Sequence, residues 1–164
     1  MEDIRDIVDS DYQSILALNR AEERQTSELD LARLDALVRM ADFRKVFTID
    51  DQVAAFILVL RESAPYQNDN FNWFATRIPQ FLYVDRVVVD SGFSGRKIGS
   101  KLYNELFAYA RTHGVRTITC EYNLDPPNPA SRAFHEKFGF KELGTQRVAG
   151  GAKLVSLQAA ETIG

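Results

Sequence analysis

The chain is poor in the residues that build cross-links and metal sites. Among 164 residues there is one cysteine, Cys120, so no internal disulfide forms. There are two histidines, His113 and His135, and with a lone cysteine they match no zinc-binding spacing. No metal is expected. Long apolar runs are missing as well. Val53 to Leu60 falls far short of the ~20 residues that cross a bilayer, so no membrane partner is expected. The N-terminal stretch MEDIRDIVDSDYQ spreads acids where a secretory signal would have an apolar core. Excess positive charge is absent too. Twenty Lys and Arg face 23 Asp and Glu, a net charge of −3, and the isoelectric point is near 5.4. A dedicated nucleic-acid binder would show the opposite field.

What is present is ordinary globular material. Hydrophobic residues make up 45% and charged residues 26%, enough apolar surface to offset chain entropy. No repeat, linker or charge block divides the chain, and its length suits one domain over residues 1–164. A reduced, cytoplasmic protein is the expectation.

The pattern alternates strand and helix. Ile4 to Val8 reads as a short strand, and Asp9 or Ser10 as the cap of a helix reaching about Glu23. Asp30 to Ala41 carries Leu31, Leu34, Leu37 and Val38 at helical spacing. Lys45 to Ile49 and Val53 to Leu60 flank Asp50-Asp51-Gln52 and predict a hairpin. Phe81 to Val89 is a β-branched and aromatic strand. Ile98 to Thr112 is a helix stopped by Gly114, and Thr117 to Tyr122 a further strand. Asn128 to Phe138 is a short helix, and Phe140 to Leu143 and Lys153 to Leu157 are late strands about Gly150-Gly151. Between them, Ala64 to Gln80 reads as a long connection rich in aromatics, which suggests function. The order predicts an α+β, mixed three-layer domain with a mostly antiparallel central sheet flanked by helices.

Two segments carry chemistry. In FLYVDRVVVDSGFSGRKIGSKLYNELFAYA, residues 81–110, a strand runs through a glycine-containing turn into a helix. Helix-start N–H groups and the positive end of the dipole suit phosphate, and Arg96 and Lys97 add charge. The glycine spacing fits neither a dinucleotide fingerprint nor a Walker loop. In NLDPPNPASRAFHEKFGFKEL, residues 123–143, Asn128 caps a helix that Gly139 ends, and Phe134, Phe138 and Phe140 join it to the next strand.

Together these segments resemble the GNAT superfamily of acyl-CoA-dependent N-acyltransferases. VDSGFSGRKIGSKL lines up without gaps on V-x-P-E-Y-R-G-K-G-I-G-x-x-L, and NPASRAFHEKFGF on N-x-x-[AS]-x-x-F-Y-x-K-x-G-F. The element order fits the family over essentially the whole chain. This chain departs from the pattern at three places. Ser94 stands where the family has Gln or Arg, Lys97 replaces the first motif glycine, and His135 replaces a tyrosine. On one strand register, Tyr83 falls where some members carry a glutamate base.

The resemblance implies acetyl transfer from acetyl-CoA to a primary amine. It places coenzyme A on Val87, Val88 and Val89, on Ser94, Gly95, Arg96, Lys97, Ile98, Gly99 and Ser100, and on Asn128 and Phe134. An amine of lysine type arrives charged, with a pKa near 10.4, and needs a base. Asp85, alternating with Tyr83 and Val87 on its strand, is the candidate base; pairing with an arginine is the competing reading. Glu121 on the next strand is a second candidate. His135 is the candidate acid for the leaving thiolate. Tyr83, Trp73, Phe74 and Tyr122 are candidate acceptor contacts, and Glu22, Glu23 and Glu28 would attract a cation. Cys120 reads as a buried small hydrophobe. The acceptor would be a small-molecule or protein amine, and a homodimer is the expected assembly. A non-catalytic acyl-CoA sensor and an enzyme for a nucleic-acid-linked amine are the competing functions.

Overall fold

The computed structural model describes residues 1–22 and 26–163, so Glu23 lies outside the described residues. Within them are seven β-strands and five α-helices. The chain forms two compact units. One takes Met1–Leu60 and Asp85–Leu106, the other Arg61–Val84 and the residues from Phe107 onward.

In the first unit, β1 (Glu2–Asp6), β2 (Phe43–Ile49) and β3 (Gln52–Arg61) pair antiparallel in sequence order. The turn between β2 and β3 is two residues, not three. Asp50 and Asp51 have φ of 50° and 67°, and Ile49 faces Gln52 across the ladder. Left-handed backbone at both central positions lets the turn follow the strands' twist. Strand β3 is buried at every residue from Ala54 to Leu60, which explains its unbroken apolar run. Helix α1 (Tyr12–Ala21) begins later than the sequence suggests, and neither Asp9 nor Ser10 caps it. A 3-10 turn over Asp9–Asp11 precedes it, where Asp11 accepts from the Val8 N–H at 2.9 Å. Arg5 donates to both carboxylate oxygens of Asp11, at 2.8 and 2.9 Å, and holds that carboxyl below its usual pKa. Helix α2 (Leu31–Met40) is capped by Asp30, which accepts from the Arg33 N–H at 2.8 Å.

The second unit contains a helix where the sequence suggested a connection. Helix α3 (Asp69–Ala75) is capped by Asn68, which accepts from Asn70 and Phe71 N–H at 3.0 and 3.1 Å. Its seven residues include two asparagines and three aromatics, all weak helix formers, so packing stabilises it rather than propensity. Phe71 and Phe74 are 3% and 0% exposed, and both rings meet Phe81 and Tyr83.

Strand β4 (Leu82–Val89) and helix α4 (Ile98–Thr112) contribute residues to both units. At its start, β4 pairs parallel with β5 (Thr117–Asp125), through Leu82↔Ile118 and Tyr83↔Thr119. Then β7 (Lys153–Glu161) pairs antiparallel with both β5 and β6 (Lys141–Val148). Helix α5 (Pro129–Lys137) carries the cap expected of Asn128, which accepts from the Ser131 N–H at 3.2 Å. The late strands run several residues past the ends the sequence suggests, because alternation fades at half-exposed positions.

Candidate active site

The first unit holds the glycine turn. Asp90 leaves β4 and accepts from the Gly92 N–H at 2.9 Å. Gly95 follows with φ of 85°, and a Cβ there would meet no atom within 4 Å. Lys97 has φ of 57°, and α4 opens at Ile98. A lysine in left-handed backbone costs on the order of 1–2 kcal/mol that glycine would not. Here lies the physical meaning of the missing motif glycine: the turn keeps the glycine conformation with a lysine in place. Ser94, Gly95, Arg96 and Lys97 are exposed, Gly99 and Ser100 half-buried, and Ile98 is buried under the turn. The first N–H groups of α4 have no partner within the helix, beside two cationic side chains. Val87 and Val89 are half-buried and Val88 is buried.

Asp85 is tied down in the same unit. The Arg86 Nε donates to its Oδ2 at 2.7 Å, and both side chains are 3% exposed. The guanidinium also donates to Asn19 Oδ1 at 3.0 Å, to the Ser27 carbonyl at 3.0 Å and to Ser27 Oγ at 2.9 Å. Asn19 in turn donates to the same carbonyl at 2.9 Å. The structure pairs Asp85 with Arg86, its neighbour in sequence.

A different arrangement surrounds Glu121 in the second unit. Tyr83 OH donates to Glu121 Oε1, and Asn70 Nδ2 donates to the same oxygen at 2.8 Å. Asn70 Oδ1 accepts from Gln146 Nε2 at 3.0 Å. Three elements, β4, α3 and β6, therefore fix one half-buried carboxylate on β5. The donors named, Tyr83 and Asn70, are neutral and hold its orientation. Neither Asn70 nor Gln146 was legible as a functional residue, although the Asn68-Asp69 cap signal would have placed Asn70 on a helix.

The aromatic candidates divide. Phe74 is 0% exposed and packs on Phe81, so it has no surface to offer an acceptor. Tyr83 is 1% exposed and reaches the site only through its hydroxyl. Trp73 is half-buried and lies against Gly144, where a Cβ would come within 2.8 Å of the indole. The Arg77 guanidinium stacks on its ring, 3.9 Å from the centroid. Tyr122 is half-buried, and its ring sits 5.8 Å from that of His135.

His135 is buried on α5. Its Nδ1 lies 2.7 Å from the Ser131 carbonyl and 3.2 Å from Ser131 Oγ. Burial lowers its pKa, only partly offset by that carbonyl. Phe134 is half-buried and meets both His135 and Phe138. Burial pushes the Cys120 thiol well up, which keeps it neutral and unreactive as expected. Asp85 and His135 belong to different units.

Residues 1–140 match the acetyltransferase (GNAT) family. The chain belongs to that family. A phosphinothricin N-acetyltransferase of Streptomyces coelicolor is 33% identical over 94 residues, 57% of this chain. The match spans half the length of that curated relative. Among solved structures, Ard1 from Thermoplasma volcanium matches with a TM-score of 0.81 at 16% identity, covering 99% of both chains. Arabidopsis thaliana Naa50, solved in complex with the bisubstrate analogue CoA-Ac-MVNAL, matches at 0.75 and 15%, over 96% of this chain and 97% of its own. These likenesses show the fold expected from the two motifs, a GNAT fold of α+β type. No helix among the described residues is long and apolar enough to cross a membrane, and none of their His, Cys, Asp and Glu side chains group as a metal site would.

Proposed function

We propose that this GNAT-family chain is an N-acetyltransferase that moves the acetyl group of acetyl-CoA to a primary amine of a small molecule or protein. The observation that carries the reading is the exposed turn at residues 94–97. It keeps the glycine-like backbone of a phosphate cradle and adds two cations at the start of a 15-residue helix. Coenzyme A phosphates would lie on the backbone N–H groups of Gly95 to Ser100, with Lys97 supplying charge where the family supplies a glycine. The β4 backbone from Val87 to Val89 would take the pantetheine amides as an added strand does.

Glu121 is the base in this reading. Its carboxylate accepts from Asn70 and Tyr83, whereas Asp85 is paired with Arg86. The acceptor ammonium gives a proton to Glu121, directly or through water, and the amine nitrogen attacks the thioester carbon. The tetrahedral oxyanion needs a donor aimed at it, and a β4 backbone N–H is the natural source. The lone buried Cys120 supports a reducing, cytoplasmic setting, and a homodimer is the assembly we favour.

The test is a thermal-shift titration with acetyl-CoA and CoA, followed by thiol release across a panel of amines. A saturable rise in Tm with both, and thiol release with at least one amine, is the expected result. Binding without turnover for any small or peptidyl amine would favour an acyl-CoA sensor. No shift with either would overturn the cofactor site.

A further inference from the structure

Two strand ladders and one irregularity decide which side chains share a face with Glu121. Across β5 and β7, Glu121 faces Leu157 and Asn123 faces Val155. Across β7 and β6, Leu157 faces Gly144 and Val155 faces Gln146. Directly opposed residues share a face of a sheet, so Gly144 and Gln146 stand on the face of Glu121. They do so because β6 carries a bulge. Glu142 faces Gln158, and the register then skips Leu143 before Gly144 meets Leu157. Simple alternation from Glu142 would send Gly144 and Gln146 to the other face. The extra residue turns them over, and re-aiming a side chain is a recurrent use of bulges beside functional sites.

Glycine at 144 lets α3 come down on this face. Trp73 rests where a Cβ at 144 would be 2.8 Å from its ring. Asn70 stands one helical turn before Trp73, on the same side of α3, and is 7% exposed. From there the hydrogen bonds run in one direction. An ionised carboxylate only accepts, so Asn70 presents Nδ2 to Glu121, at 2.8 Å, and turns Oδ1 away. Gln146 Nε2 donates to that Oδ1 at 3.0 Å. A reversed Asn70 amide would lose both contacts and set its oxygen against the carboxylate.

We propose, on the reading of Glu121 as base, that Gln146 is a positioning residue for it. Gln146 holds Asn70 with its donor toward Glu121, and so fixes the carboxylate that takes the acceptor's proton. It touches no reacting atom and acts through Asn70. All of these residues belong to the second unit.

The test compares Gln146→Leu and Gln146→Glu in the full chain for kcat, amine KM and CoA affinity, with circular dichroism to check folding. Leucine removes the donor. Glutamate keeps the shape of glutamine but only accepts when ionised, so it draws Asn70 Nδ2 to itself and away from Glu121. Misplacing a catalytic group can cost about 10²-fold. Gln146→Leu should lose about tenfold in kcat and Gln146→Glu about 10²-fold, with amine KM and CoA affinity within about twofold. In a Glu121→Gln background, Gln146→Glu should cost less than about twofold more, because its effect runs through Glu121. A role in packing alone predicts the reverse order, since the isosteric glutamate disturbs packing least. Three results would overturn the proposal: that reverse order, a change in amine KM alone, or the full loss persisting in the Glu121→Gln background. A normal kcat in Glu121→Gln by itself would instead remove the parent reading. Should Gln146→Glu misfold, a wild-type kcat in Gln146→Leu overturns the proposal on its own.

Discussion

Two carboxylates near one strand show how the same chemical group is put to different ends. Asp85 sits on β4 beside Arg86, and the pair is closed off by Asn19 and Ser27 in the first unit. Glu121 is reached from Tyr83, two residues earlier on the same strand, and from Asn70, in the second unit. The first carboxylate pairs with a buried cation, and the second accepts hydrogen bonds from Tyr83 and Asn70. A buried ion pair locks a fold but holds its charge fixed, since loss of either partner leaves an uncompensated charge. The difference supports a structural part for Asp85 and motivates the proposal of Glu121 as base.

The comparison breaks most visibly if the two amides are swapped in. Glu121→Gln is expected to cost about 10²–10⁴-fold in kcat with CoA affinity near wild type. A normal rate in a steady-state assay would remove Glu121 as base. Asp85→Asn is expected to leave Arg86 buried without its anion, at about 3–5 kcal/mol of stability by denaturant melt. Turnover lost per folded molecule, with stability unchanged, would reverse the two assignments. A smaller effect tests the support of Glu121. Gly144→Val should push Trp73 off β6 and strain α3, costing about 1–3 kcal/mol as overpacking does. Part of that should appear as reduced kcat, because α3 carries Asn70. A loss of stability with no change in kcat would uncouple α3 from the site.

The sequence carried the frame of this comparison but not its wiring. Helix α4 was legible to the residue, because its apolar face is periodic and Gly114 stops it. The hairpin and the Asn128 cap were legible for similar local reasons. The partners of the two candidate carboxylates were not. Alternation puts Asp85 on the face of Tyr83, but it cannot show that Arg86, beside it in sequence, turns back to it and on to Asn19 and Ser27. Those partners are 67 and 59 residues away from Arg86. Asn70, 51 residues from Glu121, was hidden inside a stretch whose composition resembles a loop. The glycine turn before α4 was legible from motif spacing, whereas the left-handed backbone at Lys97 emerges only from the fold. Local signals mark elements, and long-range partners decide what a titratable side chain does.

A subtler change asks whether Glu121 truly exchanges a proton. Asn70→Asp keeps the shape of the donor but sets a second carboxyl where an amide now sits 2.8 Å from Glu121 Oε1. Two carboxyls that close cannot both ionise freely, so one proton is shared and the pair's upper apparent pKa rises. A base must be deprotonated to work. The acid limb of kcat against pH should therefore move to higher pH, with the rate recovering as pH rises. At fixed neutral pH the variant would be slow, and at alkaline pH it would approach wild type. The same substitution near a merely structural Glu121 would lower stability and leave the limb where it was. Ser27→Ala supplies the contrast in the other network. It removes one acceptor from Arg86 and should cost about 1 kcal/mol of stability with no movement of the pH profile.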